Sequence, residues 1–367
     1  MTSMATRPPT GPPRRGALRD RLLRIAGAVT TPLLPEDYLD LVDPLRSGAA
    51  LRGRILAVQP QTRDAATLTI RPGRGWLGHL PGQYVRLGVD VDGVRQWRAY
   101  SVTSAPRERV STIEVTVKAI PDGVVSNHLV RRIRPGTIVQ LDQAQGDFVL
   151  PPVAPAAILF LTAGSGITPV MGMLRSGAYR DRDVVLVHCA PTADDVIFGA
   201  ELRDLAGRGA IRLVERHTDA AGQLTVDDLA VLVPDHLDRE TWACGPVGLL
   251  DAVEGHWAAH QRTDRLHTER FRPTIVATGE GGEVTFTGAG VSVTSDGATP
   301  ILDAAEAAGV LMPSGCRMGI CYGCVLPLRE GAVRDLRDGA LTTAVPGDGV
   351  LIQTCVSAAA GACDIDH

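Results

Sequence analysis

The sequence predicts a multidomain chain: an antiparallel β-barrel, then an α/β unit on a doubly wound parallel sheet, then a smaller cysteine-bearing unit. Three observations predict it. From Leu51 onward, short alternating or branched runs follow one another with turns, and no helix, between them. From about Val153 apolar strands alternate with helical segments. Beyond Gly281 the chain concentrates Cys316, Cys321, Cys324 and Cys355. At 367 residues it has room for two or three cores. The expected divisions are an amino-terminal arm and connector at 1–49, the barrel at 50–152, the α/β unit at 153–271, a linker at 272–280 and the last unit at 281–367.

Composition sets the class. A hydrophobic fraction of 44% is that of a soluble globular protein. Seven cysteines are too few for a disulfide scaffold at this length, so a reducing cytoplasm is the expected compartment. The net charge of −4 is uneven: beyond Gly281 ten Asp/Glu face four Arg, a net of −6, leaving +2 for the rest. An acidic carboxy-terminal unit suits a steered encounter with a basic partner, although the same acids also simply solvate a surface. Only Lys118 among 37 basic residues is a lysine, a compositional bias without mechanism. The start is rich in Pro and Arg and lacks the apolar core of a cleavable signal. Residues 153–174 run without a charge, long enough to span a bilayer. Gly164, Gly166, Pro169 and Gly172 interrupt them, and strand–turn–helix is the better reading.

Residues 1–24 hold six arginines against Asp20, with Pro8, Pro9, Pro12 and Pro13, and an arm disordered up to Gly16 is expected. Residues 17–28 read as a short helix with Leu18, Leu22, Leu23 and Ile25 on one side. That face would meet a membrane or partner, or pack on the chain's own body. Residues 31–47 form a connector punctuated by Asp and Pro. Barrel strands are expected at 54–58, 67–70, 84–89 and 113–117, with turns such as Arg71-Pro72-Gly73 and Asp92-Gly93. Two motifs ride on the barrel: Arg98-Ala99-Tyr100-Ser101 follows a strand, and Gly123-Val124-Val125-Ser126 opens a helix.

Both motifs carry the chemistry of a flavin site. Arg98 offers a cation to a phosphate, Tyr100 an aromatic face to ring or ribose, and Ser101 a small hydroxyl near the ring's reactive nitrogen. Gly123 and Ser126 at a helix N-terminus offer N–H groups and a positive dipole end to a pyrophosphate. Alone, an R-x-Y-S run is more often surface and packing. Paired with the G-x-x-S run 25 residues on, and with Pro81-Gly82-Gln83-Tyr84 upstream, it resembles the ferredoxin–NADP⁺ reductase superfamily. The resemblance implies that Arg98, Ala99, Tyr100, Ser101, Gly123, Val124, Val125 and Ser126 hold FAD, with Ser101 at the catalytic centre.

In the second unit, strands are expected at 156–161, 184–188, 211–214 and 241–244, separated by helices starting near 170 and around 197–206, 225–232 and 247–260. That alternation is a doubly wound parallel sheet. Gly164-Ser165-Gly166-Ile167-Thr168-Pro169 turns from the first strand into a helix, and without a third glycine it is a weak dinucleotide signal by itself. Cys244-Gly245-Pro246 stands at another strand's carboxyl end, where open α/β sheets bind ligands. In the superfamily this triplet lies beside the nicotinamide. The resemblance therefore implies NADPH or NADH as substrate, Cys244 at the catalytic centre, and Gly164, Gly166, Thr168, Pro169, Gly245 and Pro246 as nucleotide contacts. By the same resemblance Phe271, in Thr268-Glu269-Arg270-Phe271, covers the flavin; ordinary packing is the equal alternative. A 2′-phosphate would need cations beyond the second strand, where Arg203, Arg208 and Arg216 could fold back. His256 and His260 have the i, i+4 spacing of metal ligands, but no acidic or cysteine partner, and a solvated helix face is expected. Cys189 and Cys363 carry no motif.

The third unit is organised on Pro313-Ser314-Gly315-Cys316-Arg317-Met318-Gly319-Ile320-Cys321-Tyr322-Gly323-Cys324. The spacing is C-x4-C-x2-C with Cys355 following 31 residues after Cys324, the plant-type pattern for four thiolates around a [2Fe–2S] cluster. Zinc sites more often come as two C-x2-C pairs or Cys/His mixtures. Gly315, Gly319 and Gly323 interleave the thiols where the loop must wrap tightly and aim N–H groups at sulfur. From about Gly281 to the C-terminus, including Ile301-Leu302-Asp303-Ala304-Ala305-Glu306, the chain resembles the plant-type ferredoxin family. The resemblance implies a β-grasp-like α+β domain.

This order of units implies electron flow from NAD(P)H through FAD and [2Fe–2S] to a separate acceptor. No triad or paired-carboxylate motif, and no mononuclear-iron or haem motif, appears, so an external oxygenase, desaturase or hydroxylase is the expected acceptor. A diaphorase-like flavin or quinone reductase would not need the third unit. An iron–sulfur redox sensor is the reading of another class; without a helix-turn-helix or basic stripe, no nucleic-acid partner is expected. The prefix Thr31-Pro32-Leu33-Leu34-Pro35-Glu36-Asp37-Tyr38-Leu39, with Asp43-Pro44-Leu45 and Leu51-Arg52-Gly53-Arg54, resembles actinobacterial NADPH reductases that feed membrane stearoyl-CoA desaturases. Related reductases serve P450 or ring-hydroxylating enzymes instead. With the basic arm, the resemblance implies a cytoplasmic protein in peripheral contact with anionic lipid.

Overall fold

The computed structural model describes residues 42–46, 50–106, 112–121, 123–271, 277–315, 317–319 and 322–367. The arginine-rich arm, the helix expected at 17–28, the 31–39 prefix, and Cys316 and Cys321 lie outside the described residues. The described chain builds three sheets in succession.

The first is antiparallel, in the order β4-β3-β6-β1-β2-β5. Its strands are β1 (Arg52–Thr62), β2 (Ala65–Pro72), β3 (Tyr84–Val91), β4 (Val94–Ser101), β5 (Ile113–Lys118) and β6 (Ile138–Leu141). Alternation turns Ile55, Leu68, Ile70, Val85, Leu87, Val115 and Val117 into one core. Past the end of β4 the chain bridges to β5 at Val102 and Val115, and Thr103 N–H donates to Glu114 O at 2.8 Å, drawing the sheet's two edges together into a barrel. One expectation is corrected. Arg98-Ala99-Tyr100-Ser101 does not follow a strand but forms the end of β4, paired residue by residue with β3. The period-2 pattern is masked there because Arg95, Gln96 and Arg98 surround the one large apolar residue, Trp97. Helix α1 (Val124–Arg131) buries Val125 and Leu129 against the barrel.

The second sheet is parallel throughout, in the order β11-β10-β7-β8-β9. Its strands are β7 (Ala157–Ala163), β8 (Asp183–Ala190), β9 (Arg212–His217), β10 (Glu240–Cys244) and β11 (Leu266–Glu269). Helices α2 (Ile167–Ser176) and α3 (Gly199–Gly207) cover Ile158 and Phe160 on one face. After the single turn α4 (Thr218–Ala221), α5 (Val226–Leu232) and α6 (Val247–Ala259) cover Leu159 and Leu161 on the other. The charge-free stretch from 153 is thus a buried strand, a turn and a helix. No helix among the described residues is long and apolar enough to cross a membrane.

His256 departs from expectation. It is half-buried rather than on a solvated face. Its Nε2 lies 2.9 Å from Nε2 of the buried His236, with the two rings stacked at 5.1 Å. The short turn before β10 carries His236 under the end of α6, a contact between segments 20 residues apart that helix periodicity cannot report.

The third sheet is mixed, in the order β13-β12-β17-β14-β15, with β16 added on β14. Its strands are β12 (Gly282–Phe286), β13 (Val291–Ser295), β14 (Val325–Asp335), β15 (Leu341–Ala344), β16 (Val350–Gln353) and β17 (Ser357–Ile365). The first strand lies parallel to the last. Helix α7 (Ile301–Ala307) sets Ile301 and Ala305 onto Val284, Phe286, Leu328 and Ile365, as a β-grasp requires.

Candidate functional site

The end of β4 presents Arg98, Tyr100 and Ser101 in turn. Ser101 is 3% exposed and its Oγ is buried without a protein partner, which suits a hydroxyl that bonds to a bound group. Arg98 donates from Nη1 to Trp97 O at 2.8 Å and from Nη2 to Gln96 Oε1 at 3.3 Å. Burial first, and then the charge of Arg317 from the third domain, lowers its guanidinium pKa to about 10. An anion beside it would relieve both effects. Burial likewise raises the Tyr100 phenol well above its usual range. Ala99 is half-buried and pairs with Arg86.

Helix α1 begins at Gly123 with no side-chain cap, leaving its first N–H groups for a phosphate. Ser126 contributes differently from its expected role. Its Oγ is engaged in the turn, accepting from Ile120 N–H and donating to Gly123 O, so its N–H is what it offers. Val125 points into the core and Val124 is exposed, so these too can serve only through the backbone. The orphaned hydroxyl, the cation and the uncapped helix fit a flavin with a phosphate-bearing tail.

On the parallel sheet the order reverses between β7 and β10, the point where open α/β sheets bind ligands. Both nucleotide motifs stand at those two carboxyl ends. Gly164–Gly166 forms a 3₁₀ turn feeding α2, and Thr168 Oγ1 donates to Ser165 O at 3.0 Å. A Cβ on Gly166 would strike the Cys244 carbonyl, so glycine is what lets the two motifs meet. Pro169 is buried in α2, while Gly245 and Pro246 lead into α6.

Sequence reasoning passed over Glu269. Strand register sets it beside Cys244. Its Oε2 is buried without a partner, and burial pushes the carboxyl up to about 8. Cys244 is fully buried and its thiol is held well above its usual range by burial, with the Glu269 charge adding to it. Neither residue is a ready anion at neutral pH. Phe271 is 38% exposed at the end of the same segment. The arginines that could fold toward a 2′-phosphate are engaged elsewhere. Arg203 is bidentate to Glu215 at 2.8 and 2.9 Å, Arg208 pairs with Asp204, and Arg216 holds Asp228 and the 221–223 carbonyls.

In the third domain Cys324 and Cys355 are both buried and pack with Leu302 and Val356 in one small cluster. Thr354 Oγ1 donates to Cys324 O at 2.9 Å and ties the two segments together. Cys363 lies apart, in the sheet core, where burial pushes its thiol up to about 11. Left-handed backbone at Arg317, Gly319 and Tyr322 curls the loop. Two buried thiols brought together from separate segments, beside a turn of left-handed backbone, fit part of the ligand set of an iron–sulfur cluster.

Fold and site together define a modular oxidoreductase in which a flavin sheet, a nicotinamide sheet and an iron–sulfur domain follow one another. The chain matches the model of the oxidoreductase FAD-binding domain over residues 61–150 and the oxidoreductase NAD-binding domain over 160–254. Residues 284–360 match the 2Fe-2S iron-sulfur cluster binding domain. The chain is 52% identical over 352 residues to an NADPH oxidoreductase of Mycobacterium tuberculosis, covering 94% of this chain and 92% of that protein. It is 30% identical over 307 residues to a glycine betaine monooxygenase reductase subunit of Pseudomonas aeruginosa, covering 75% and 84%. In fold it is similar to solved phthalate dioxygenase reductase, with a TM-score of 0.60 at 23% identity over 86% of this chain and 97% of that one. The chain belongs to the family of NAD(P)H oxidoreductases that join FAD-, NAD- and 2Fe-2S-binding domains in one polypeptide. It is an iron–sulfur flavoprotein that moves electrons from NAD(P)H through FAD to [2Fe–2S].

Proposed function

We propose that this reductase supplies single electrons to a separate oxygenase, and more narrowly to a membrane fatty-acyl desaturase. When bound, a nicotinamide would supply a hydride, FAD would divide its two electrons, and a [2Fe–2S] cluster would hand them on singly. Arg98 would neutralise the flavin phosphate, the N–H groups of Val124 to Ser126 would receive the pyrophosphate, Tyr100 would offer its aromatic face to ring or ribose, and Ser101 Oγ would be free to hydrogen-bond the ring. Gly164 to Pro169 and Cys244 to Pro246 bracket the nicotinamide nucleotide at the β7/β10 switch point. Glu269, protonated at neutral pH, keeps a proton beside that centre. Cys316, Cys321, Cys324 and Cys355 hold the cluster within a domain that begins near 281.

What carries the oxygenase reading is the cluster domain fused behind the flavin pair, supported by likeness to a monooxygenase reductase subunit. The desaturase is favoured by the 31–39 prefix, whose resemblance is to reductases of that system. The arginine-rich arm would hold such a reductase near anionic lipid, at about 1 kcal/mol per well-placed arginine. Membranes bearing an acyl-CoA desaturase should turn over when given this protein and NADPH, and high salt should slow them. Efficient turnover of a soluble P450 or dioxygenase, with none of the desaturase, would overturn this choice of partner.

A further inference from the structure

We propose that Arg337 is a positioning residue for the iron–sulfur cluster and that its charge raises the cluster's reduction potential. The inference rests on the reading that the four cysteines hold a [2Fe–2S] cluster.

Arg337 is far from the cysteine motif in sequence and carries no motif of its own. It stands on the turn after β14, where Leu336 N–H donates to Val356 O at 2.8 Å and Asp335 pairs with Ser357. That turn is therefore stitched to the residues immediately following Cys355. From it the guanidinium reaches the loop between Cys316 and Cys321, and Nη1 donates to Gly319 O at 3.0 Å. Gln353, two residues before Cys355, donates from Nε2 to the same carbonyl at 3.0 Å and accepts from Arg337 Nη2 at 3.1 Å. Gly319 has φ 72, and a Cβ there would lie 2.5 Å from Arg337 Nη1. The guanidinium thus occupies the space a side chain at Gly319 would need.

The far side of the fork is held by Asp335, which accepts from Nε at 3.1 Å and from Nη2 at 2.7 Å. The ion pair is consequently oriented, with its positive end against the loop and its negative end behind. One-electron reduction adds a negative charge to the cluster site, and a fixed cation at the loop stabilises that state more than the oxidised one. The two donors on Gly319 O also hold the loop's shape, which sets how its backbone faces the sulfurs. Placed after the flavin, a raised potential draws electrons forward into the cluster.

The test is an EPR-monitored redox titration of the full-length holoprotein. Arg337→Gln keeps a donor for Gly319 O but loses the charge. Its reduced-to-oxidised ratio at fixed poise should fall about tenfold, equivalent to about 59 mV for a one-electron couple. Arg337→Lys should stay within about threefold of the parent, since it keeps the charge. Asp335→Asn leaves Arg337 in place and removes its counter-charge, so the ratio should rise. An assembled Arg337→Gln cluster with the parent's potential overturns the proposal. Should that variant fail to hold a cluster, Asp335→Asn decides alone: a rise supports the charge effect, and no change or a fall refutes it. A parent protein without a [2Fe–2S] signal overturns the ligand reading and this inference together.

Discussion

Arg175, on the last turn of α2, ties the nicotinamide sheet to the flavin barrel. On the barrel side Nη1 donates to Glu114 Oε2 at 2.8 Å and to Thr103 O at 3.1 Å. On its own domain Nε and Nη2 form a fork with Glu201 at 2.9 and 2.7 Å, and the guanidinium lies 4.9 Å from the Phe198 ring. The side chains of Arg175 and Glu114 are 21% and 32% exposed, which puts the pair between a surface ion pair and a buried one. Exposed pairs contribute about 0–1 kcal/mol, and breaking a buried one costs about 3–5 kcal/mol. Arg175→Ala should therefore weaken the contact between the two domains by about 2–3 kcal/mol, or roughly two decades. Thr103 lies only two residues beyond Ser101, so the loss falls on the alignment of hydride donor and acceptor. Stopped-flow reduction of the flavin by NADPH should slow at least about tenfold, with flavin and cluster content unchanged. Arg175→Lys, which keeps the charge without the fork, should recover only part of the rate. A parent-like rate in Arg175→Ala, with unchanged susceptibility to proteolysis between the domains, would refute the argument.

Three further outcomes are expected. The Glu269 carboxyl, at about 8 in the folded chain against an ordinary 4.5, is protonated in both states at low pH but ionises only in the unfolded chain in between, so it erodes stability as pH rises from about 4.5 through about 8. Glu269→Gln should remove that slope and gain about 4 kcal/mol over the parent by pH 8 in urea midpoints, and parallel pH profiles would contradict it. Cys355→Ser should abolish the visible and EPR signature of the cluster while Cys363→Ser keeps it, and the reverse pattern would move the fourth ligand. Arg98→Ala should lower flavin affinity by about one to two decades without unfolding the barrel, and unchanged flavin retention on dilution would make Arg98 a packing residue.

The sequence made the order of the three domains legible because each carries its own local signal. Alternation marked β1, β2, β3 and β5, the alternation of strand and helix marked the parallel sheet, and the spacing of Cys316, Cys321, Cys324 and Cys355 marked the iron–sulfur domain. It left β6 and the true extent of β4 unread, since a four-residue strand and a strand interrupted by Arg95, Gln96 and Arg98 carry little periodic signal. Glu269 and Arg175 were in plain view but looked like ordinary charged residues.

By itself, then, the sequence determined whatever depends on neighbours along the chain: turn chemistry, which face of a strand is buried, and thiols brought close by a short loop. The tertiary structure alone decided which distant residues meet. Strand register set Glu269 beside Cys244, packing of α2 on the barrel brought Arg175 to Glu114, and the turn after β14 carried Arg337 to Gly319. The physical reason is that burial leaves a local, periodic imprint in sequence. Pairing between separated elements is fixed by topology and register, which no single stretch of the chain records.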